Sequence, residues 1–129
     1  MAKISAGKKV LHPELSFEVM EIVFEVHNQL GPGLTEDIYE RAIIVELNAH
    51  NMSFQQQKVI TVNYKNQPIG TYRLDLVIDK KIILELKAVS ALNDLHKQQL
   101  LAYLKASGLH LGILVNFGAS RVEYKRIAN

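Results

Sequence analysis

The sequence predicts an α/β fold, α+β by a stricter definition, with a mixed sheet of about five strands flanked by helices. Three observations carry this prediction. Residues 13–49 repeat their apolar side chains at helical spacing, residues 54–89 form three extended runs broken by turn signals, and one further helical stretch separates those runs from two last strands. The resulting order is ααβββαββ, in which the third helix can return the chain as a crossover between parallel strands.

In the first helix, Leu15, Val19, Ile22, Val23, Val26 and Leu30 recur at spacings of three and four, with Pro13 in the first turn. Gly31-Pro32-Gly33 stops it, and matches neither a P-loop nor a dinucleotide fingerprint. A second helix opens after Thr35, the expected N-cap, before Glu36 and Asp37, whose charges suit a helix N-terminus. Ile38, Ala42, Val45 and Leu47 are its expected buried side. The runs Phe54 to Tyr64, Ile69 to Ile78 and Lys81 to Val89 read as an antiparallel meander, with turns at 65–68 and 79–80. The third helix spans Asn93 to Ser107, capped by Asn93 or Ser90 and ended by Gly108, and buries Leu92, Leu95, Leu100, Leu101 and Leu104. Leu109 to Asn116 and Arg121 to Ile127 are the final strands.

A chain of 129 residues with 48% apolar side chains can fill one hydrophobic core, so residues 13–129 are expected to form a single domain behind a flexible segment, 1–12. The absence of cysteine excludes disulfides, Cys-ligated zinc, iron–sulfur clusters and thiol catalysis. No apolar run approaches the roughly 20 residues of a membrane span and the N-terminus lacks a secretory apolar region, so a cytoplasmic protein without a membrane partner is expected. A net charge of +2 is compatible with a polyanionic partner without establishing one. His12, His27, His50, His96 and His110 show no metal-ligand spacing; His96, three residues before Gln99, is the only one near a candidate site.

The chemistry concentrates in residues 72–87. Strand alternation puts Leu74, Leu76, Ile78, Ile82, Leu84 and Leu86 on one face and Asp75, Glu85 and Lys87 on the other. A hairpin turning about Lys80 sets Asp75 across from Glu85, two residues from Lys87. Facing carboxylates repel, so a compensating cation is expected, and an all-oxygen site suits Mg²⁺ or Mn²⁺, with the Leu86 backbone carbonyl as a further ligand. The alternative is that Asp75, Glu85 and Lys87 are ordinary charges on a solvated hairpin face.

Asp75 followed after nine residues by Glu85-Leu86-Lys87 resembles the PD-(D/E)XK nuclease signature, and Gly33-Leu34-Thr35-Glu36-Asp37-Ile38-Tyr39 resembles the GxxExxY signature of a small-protein branch of that superfamily. Gln99 to Tyr103 is similar to the QxxxY helix motif of exonuclease relatives, and Gly112 to Gly118 is similar to the late strand. The likeness extends from Glu18 to Ile127 and departs from the pattern at Leu74, where the superfamily has a proline without a ligand role.

The resemblance implies a restriction-endonuclease-like core and a divalent-metal-dependent nuclease. Asp75 and Glu85 would hold the metal, Lys87 would be the catalytic lysine, and Glu36 would be a further acidic or water-bridged ligand. Gln99 and Tyr103 would line the site and touch substrate, and Tyr39, one turn beyond Glu36, belongs to the same polar set. Simpler readings stand beside these roles: Glu36 as a first-turn acid favouring the helix dipole, and Tyr39 and Tyr103 as core rings with satisfied hydroxyls. The expected partner is nucleic acid, DNA ahead of RNA, with a two-fold homodimer as a way to grip a duplex. The alternative function is a non-catalytic nucleic-acid- or protein-binding module that keeps the fold.

Overall fold

The structure, a computed structural model, describes residues 11–129. Most of the segment expected to be flexible, residues 1–10, lies outside the described residues. Leu11, within that expected segment, is held: it packs against the core, and its carbonyl accepts a bond from the Arg126 guanidinium at 3.1 Å.

Helix α1 (Pro13–Leu30) starts with Pro13 where the missing N–H costs nothing, and ends at Gly31, whose combination of φ 68° with ψ -178° only glycine adopts without strain. Helix α2 (Glu36–Ala49) follows from an extended Thr35. Its buried row is Tyr39, Ile43 and Leu47, one turn apart, whereas Ile38 and Val45 are 37% and 66% exposed. The expected face is therefore rotated, because the Tyr39 ring stacks on Phe117 with centroids 4.5 Å apart and fixes which row turns inward.

Strands β1 (Phe54–Tyr64), β2 (Gln67–Ile78) and β3 (Ile82–Lys87) form the antiparallel meander. Helix α3 (Asp94–Ser107) then crosses over to β4 (Leu111–Asn116), which runs parallel to β3, and β5 (Glu123–Ala128) closes the sheet antiparallel to β4. The sheet is mixed, five-stranded and ordered β1-β2-β3-β4-β5, flanked by three helices among the described residues: an α+β fold.

Asn93 rather than Ser90 caps α3. Its side chain accepts from the His96 N–H at 3.0 Å while the His96 ring accepts from the Asn93 N–H at 3.2 Å, so His96 is spent on the cap. Leu95, expected to be buried, is 72% exposed, and Leu30 of α1 is also exposed.

Two cores sandwich the sheet. On one face α1 and α2 cover Leu76, Ile78, Ile82, Leu84, Leu86, Leu111, Ile113 and Val115; on the other α3 covers Ile60, Leu74, Val77, Ile83 and Leu114. β3 and β4 are buried on both sides, as a parallel pair under a crossover helix requires. No helix among the described residues is long and apolar enough to cross a membrane.

Candidate functional site

The β2–β3 hairpin makes the site. Asp79 and Lys80 both take positive φ in its turn, and Leu76–Leu84, Val77–Ile83 and Ile78–Ile82 pair regularly. Beyond Leu76 and Leu84 the ladder stops. Where carbonyls would continue the pairing, carboxylates intervene: the Asp75 N–H donates to Glu85 Oε1 at 2.9 Å, and the Leu86 N–H donates to Asp75 Oδ2 at 2.8 Å. The β1 side is irregular at the same level, with Gln57 at φ 51° between the pairs Gln56–Leu76 and Lys58–Leu74.

This distortion corrects one expectation from simple alternation. Leu74 packs with the α3 core rather than beside Leu76, because the strand is re-aimed at Asp75. Asp75 and Glu85 nonetheless meet across the hairpin, and β3 carries Glu85 and Lys87 on the side that faces α3.

Glu85 is 6% exposed and Asp75 is half-buried. Burial pushes Glu85 up to about 8, with the neighbouring Asp75 adding to the effect. Burial likewise raises Asp75, reinforced by Glu36 and opposed by the Leu86 N–H bond. Neither carboxylate forms an ion pair among the described residues. The pair is thus two acids held partly out of water without a matched side-chain cation, and burial favours their protonated forms.

Around it, Lys87 Nζ donates to Gln99 Oε1 at 3.4 Å, joining the end of β3 to the exposed side of α3. Tyr103, one turn further along α3, has its ring centroid 5.0 Å from that of Tyr72. Burial, then Glu85, Tyr72 and Asp75, push the Tyr103 hydroxyl up to about 12. Glu36 is exposed at the start of α2 and lines a cleft of about 340 Å³ with Glu40, Arg41, Gln56, Gln57 and Asp75.

Tyr39 is placed elsewhere. It is fully buried, its hydroxyl donates to the Gly31 carbonyl and accepts from the Leu34 N–H at 3.2 Å, so it clamps the α1–α2 turn and presents no exposed surface.

Two carboxylates plus a strand carbonyl form an oxygen donor set of the kind Mg²⁺ and Mn²⁺ accept, and each carboxylate commits one oxygen to a backbone N–H. The residues fit such an ion to that extent. Among the described residues no three Asp, Glu, His or Cys side chains converge in a metal-binding arrangement, so Glu36 does not complete a three-acid cluster.

Several polar residues around this frame were not singled out by sequence reasoning. Glu40 is buried and accepts from Gln56 Nε2 at 2.8 Å and Gln57 Nε2 at 2.9 Å, fixing the distorted part of β1 against α2. Asn116, fully buried, accepts from the Val89 and Gly118 N–H groups and donates to the Val89 carbonyl and to Glu123, which in turn receives the Leu92 N–H. The link from β3 to α3 is therefore braced from β4. The three consecutive glutamines 55–57 are the one sequence feature that flags the first group, and Asn116 lies inside the Gly112 to Gly118 stretch without any local pattern that marks its side chain as a brace.

The family model described as PD-(D/E)XK nuclease superfamily matches residues 13–127. The crystal structure of SSO0001 superposes with a TM-score of 0.53 at 25% identity, covering 72% of this chain and 49% of that one, so this chain spans about half the length of that protein. No curated protein matches the chain.

Proposed function

Because the chain belongs to the PD-(D/E)XK nuclease superfamily, we propose that the gap between β2 and β3 is the centre of a divalent-metal-dependent nuclease that hydrolyses phosphodiester bonds in nucleic acid. The observation that carries this reading is the pair formed by half-buried Asp75 and buried Glu85, joined across the hairpin without a paired cation and close in sequence to Lys87.

In this reading Asp75 and Glu85 hold Mg²⁺ or Mn²⁺, with the Leu86 carbonyl as a further donor and Glu36 reaching the ion through water. Such an ion lowers the pKa of a water and offsets charge on the phosphate. Lys87 supplies positive charge where the phosphate gains negative charge, and Gln99 steers its ammonium. The Tyr103 hydroxyl, held protonated well beyond neutral pH, donates to a phosphate oxygen. The reading places the protein in the GxxExxY branch, acting in the cytoplasm on DNA in preference to RNA, as a two-fold dimer when the substrate is a duplex.

One observation favours a second reading, a binding module without turnover: the missing third acid of a metal cluster. Cleavage of labelled single-stranded, duplex and branched DNA and of RNA in Mg²⁺, Mn²⁺ or EDTA separates the two. We expect metal-dependent cutting that falls by more than about a hundredfold in both Asp75→Asn and Lys87→Ala. No cutting on any substrate, with nucleic-acid binding intact, would make the module the correct reading.

A further inference from the structure

The β1–β2 hairpin runs far beyond the sheet. β2 pairs with β3 only through Leu76, whereas β1 and β2 remain paired out to Tyr64 and Gln67, leaving an arm that projects from Asp75 with only α3 beside it.

Its composition is unlike the rest of the chain. From Leu47 to Leu74 there is no acidic residue, while Lys58, Lys65 and Arg73 lie on the arm. None of the three forms an ion pair among the described residues. The arm also exposes large apolar surface: Tyr64 is 60%, Ile69 64% and Tyr72 46% exposed. Uncompensated positive charge interleaved with exposed rings is the surface that holds phosphates and stacks bases.

The rings are well placed for it. At about 3.3 Å per residue, Tyr72 sits about 10 Å from Asp75 along the strand. Tyr72 tilts at 53° against Tyr103, which itself senses Glu85 and Asp75. Outward from this pair, Val62, Gly70 and Ile69 line a hollow of about 180 Å³ with Tyr72, and Val62 continues into a second of about 380 Å³ walled by Ala102, Lys105 and Ala106 of α3. Gly70 meets no atom within 4 Å of where a Cβ would stand, so the floor of the hollow is open.

We propose that the β1–β2 arm is a binding arm for single-stranded nucleic acid, with Tyr72 stacking an unpaired base next to the site, Lys58 and Arg73 at the levels between Tyr72 and Asp75 and Lys65 at the tip supplying positive charge to the phosphates on either side of that base. An unpaired strand is specified because a ring can stack only on a base face, and in a duplex the faces are already covered. This assignment rests on the nuclease reading for the meaning of the site, but the grip itself needs no metal.

The test is fluorescence anisotropy of a labelled single-stranded oligodeoxynucleotide and of its blunt duplex, both in EDTA. The single strand binds tighter than the duplex at equal salt. Tyr72→Ala weakens single-strand binding roughly tenfold and Tyr72→Phe restores it. Tyr72→Leu, which keeps an apolar body against Tyr103, shows the loss without disturbing the fold, as thermal melting verifies. Lys65→Ala with Arg73→Ala weakens both ligands and lowers the single-strand salt slope by about 1.4. Equal or tighter duplex binding, or wild-type affinity in Tyr72→Leu, overturns the proposal. So does an arm that instead pairs protein chains, seen as a dimer dispersed by Tyr72→Leu in a chain without nucleic-acid affinity. Failure of the nuclease reading looks different: the wild type grips the single strand in EDTA yet cuts nothing in Mg²⁺ or Mn²⁺.

Discussion

At Glu85 the protein holds a carboxyl group that prefers its proton. Its pKa is raised from 4.5 to about 8 by burial and by Asp75, so between those values the folded chain binds a proton that the unfolded chain has lost. The stabilisation is complete below the unfolded value and disappears as pH rises through the folded one. The melting temperature of the metal-free wild type relative to Glu85→Gln is therefore expected to fall as pH is raised from about 5 to about 8.5. Adding Mg²⁺ at the alkaline end should raise the wild-type melting temperature and leave Glu85→Gln unmoved. A difference between the two proteins that is flat across this range would show that Glu85 is already ionised. The acidic pair was legible from spacing alone, because Asp75 and Glu85 lie symmetrically about Lys80. Their hydrogen bonds to each other's strand were not, because alternation describes regular pairing and this is where pairing stops.

The elements themselves were legible wherever a backbone constraint is written in residue type. Pro13, Gly31, Asn93 and Gly108 bound helices α1 and α3 within a residue of expectation. The inward face of α2 was not legible, because Ile38, Ile43, Val45 and Leu47 offer more than one apolar row and only the partner ring, Phe117, selects among them. Gly118 is a case where the need for glycine comes from another element: a Cβ there would stand 2.3 Å from the Val89 carbonyl oxygen and 2.5 Å from its nitrogen. That contact keeps the β4–β5 connection close to the segment that leaves Lys87. Gly118→Ala should cost about 1–3 kcal/mol in denaturant unfolding, since backbone rather than a flexible side chain must move. A change within about 0.5 kcal/mol would mean the segment relaxes freely.

For the whole molecule, the two cores make the sheet strongest at its centre. β3 and β4 are covered on both faces, whereas the outer part of the β1–β2 arm leans on α3 alone. Amide hydrogen exchange is expected to be slowest in Ile82–Leu86 and Leu111–Val115 and fastest among the strands at Thr61–Thr71; uniform protection along β2 would contradict that picture. The helix order and the crossover were readable from the sequence, since one helix between extended runs permits a parallel return. The length of the arm was not, because a strand's residues do not record where its neighbour ends. What ends it is the fork at Asp75 and Glu85, and this gives the fork a second office. Each acid occupies a backbone donor that would otherwise help zip β2 to β3, so the groups proposed to bind the ion also prop open the space that would receive it. Replacing both acids by apolar residues would free the Asp75 and Leu86 N–H groups for the ladder, so loss of the proposed ion site and closure of the fork are expected to go together.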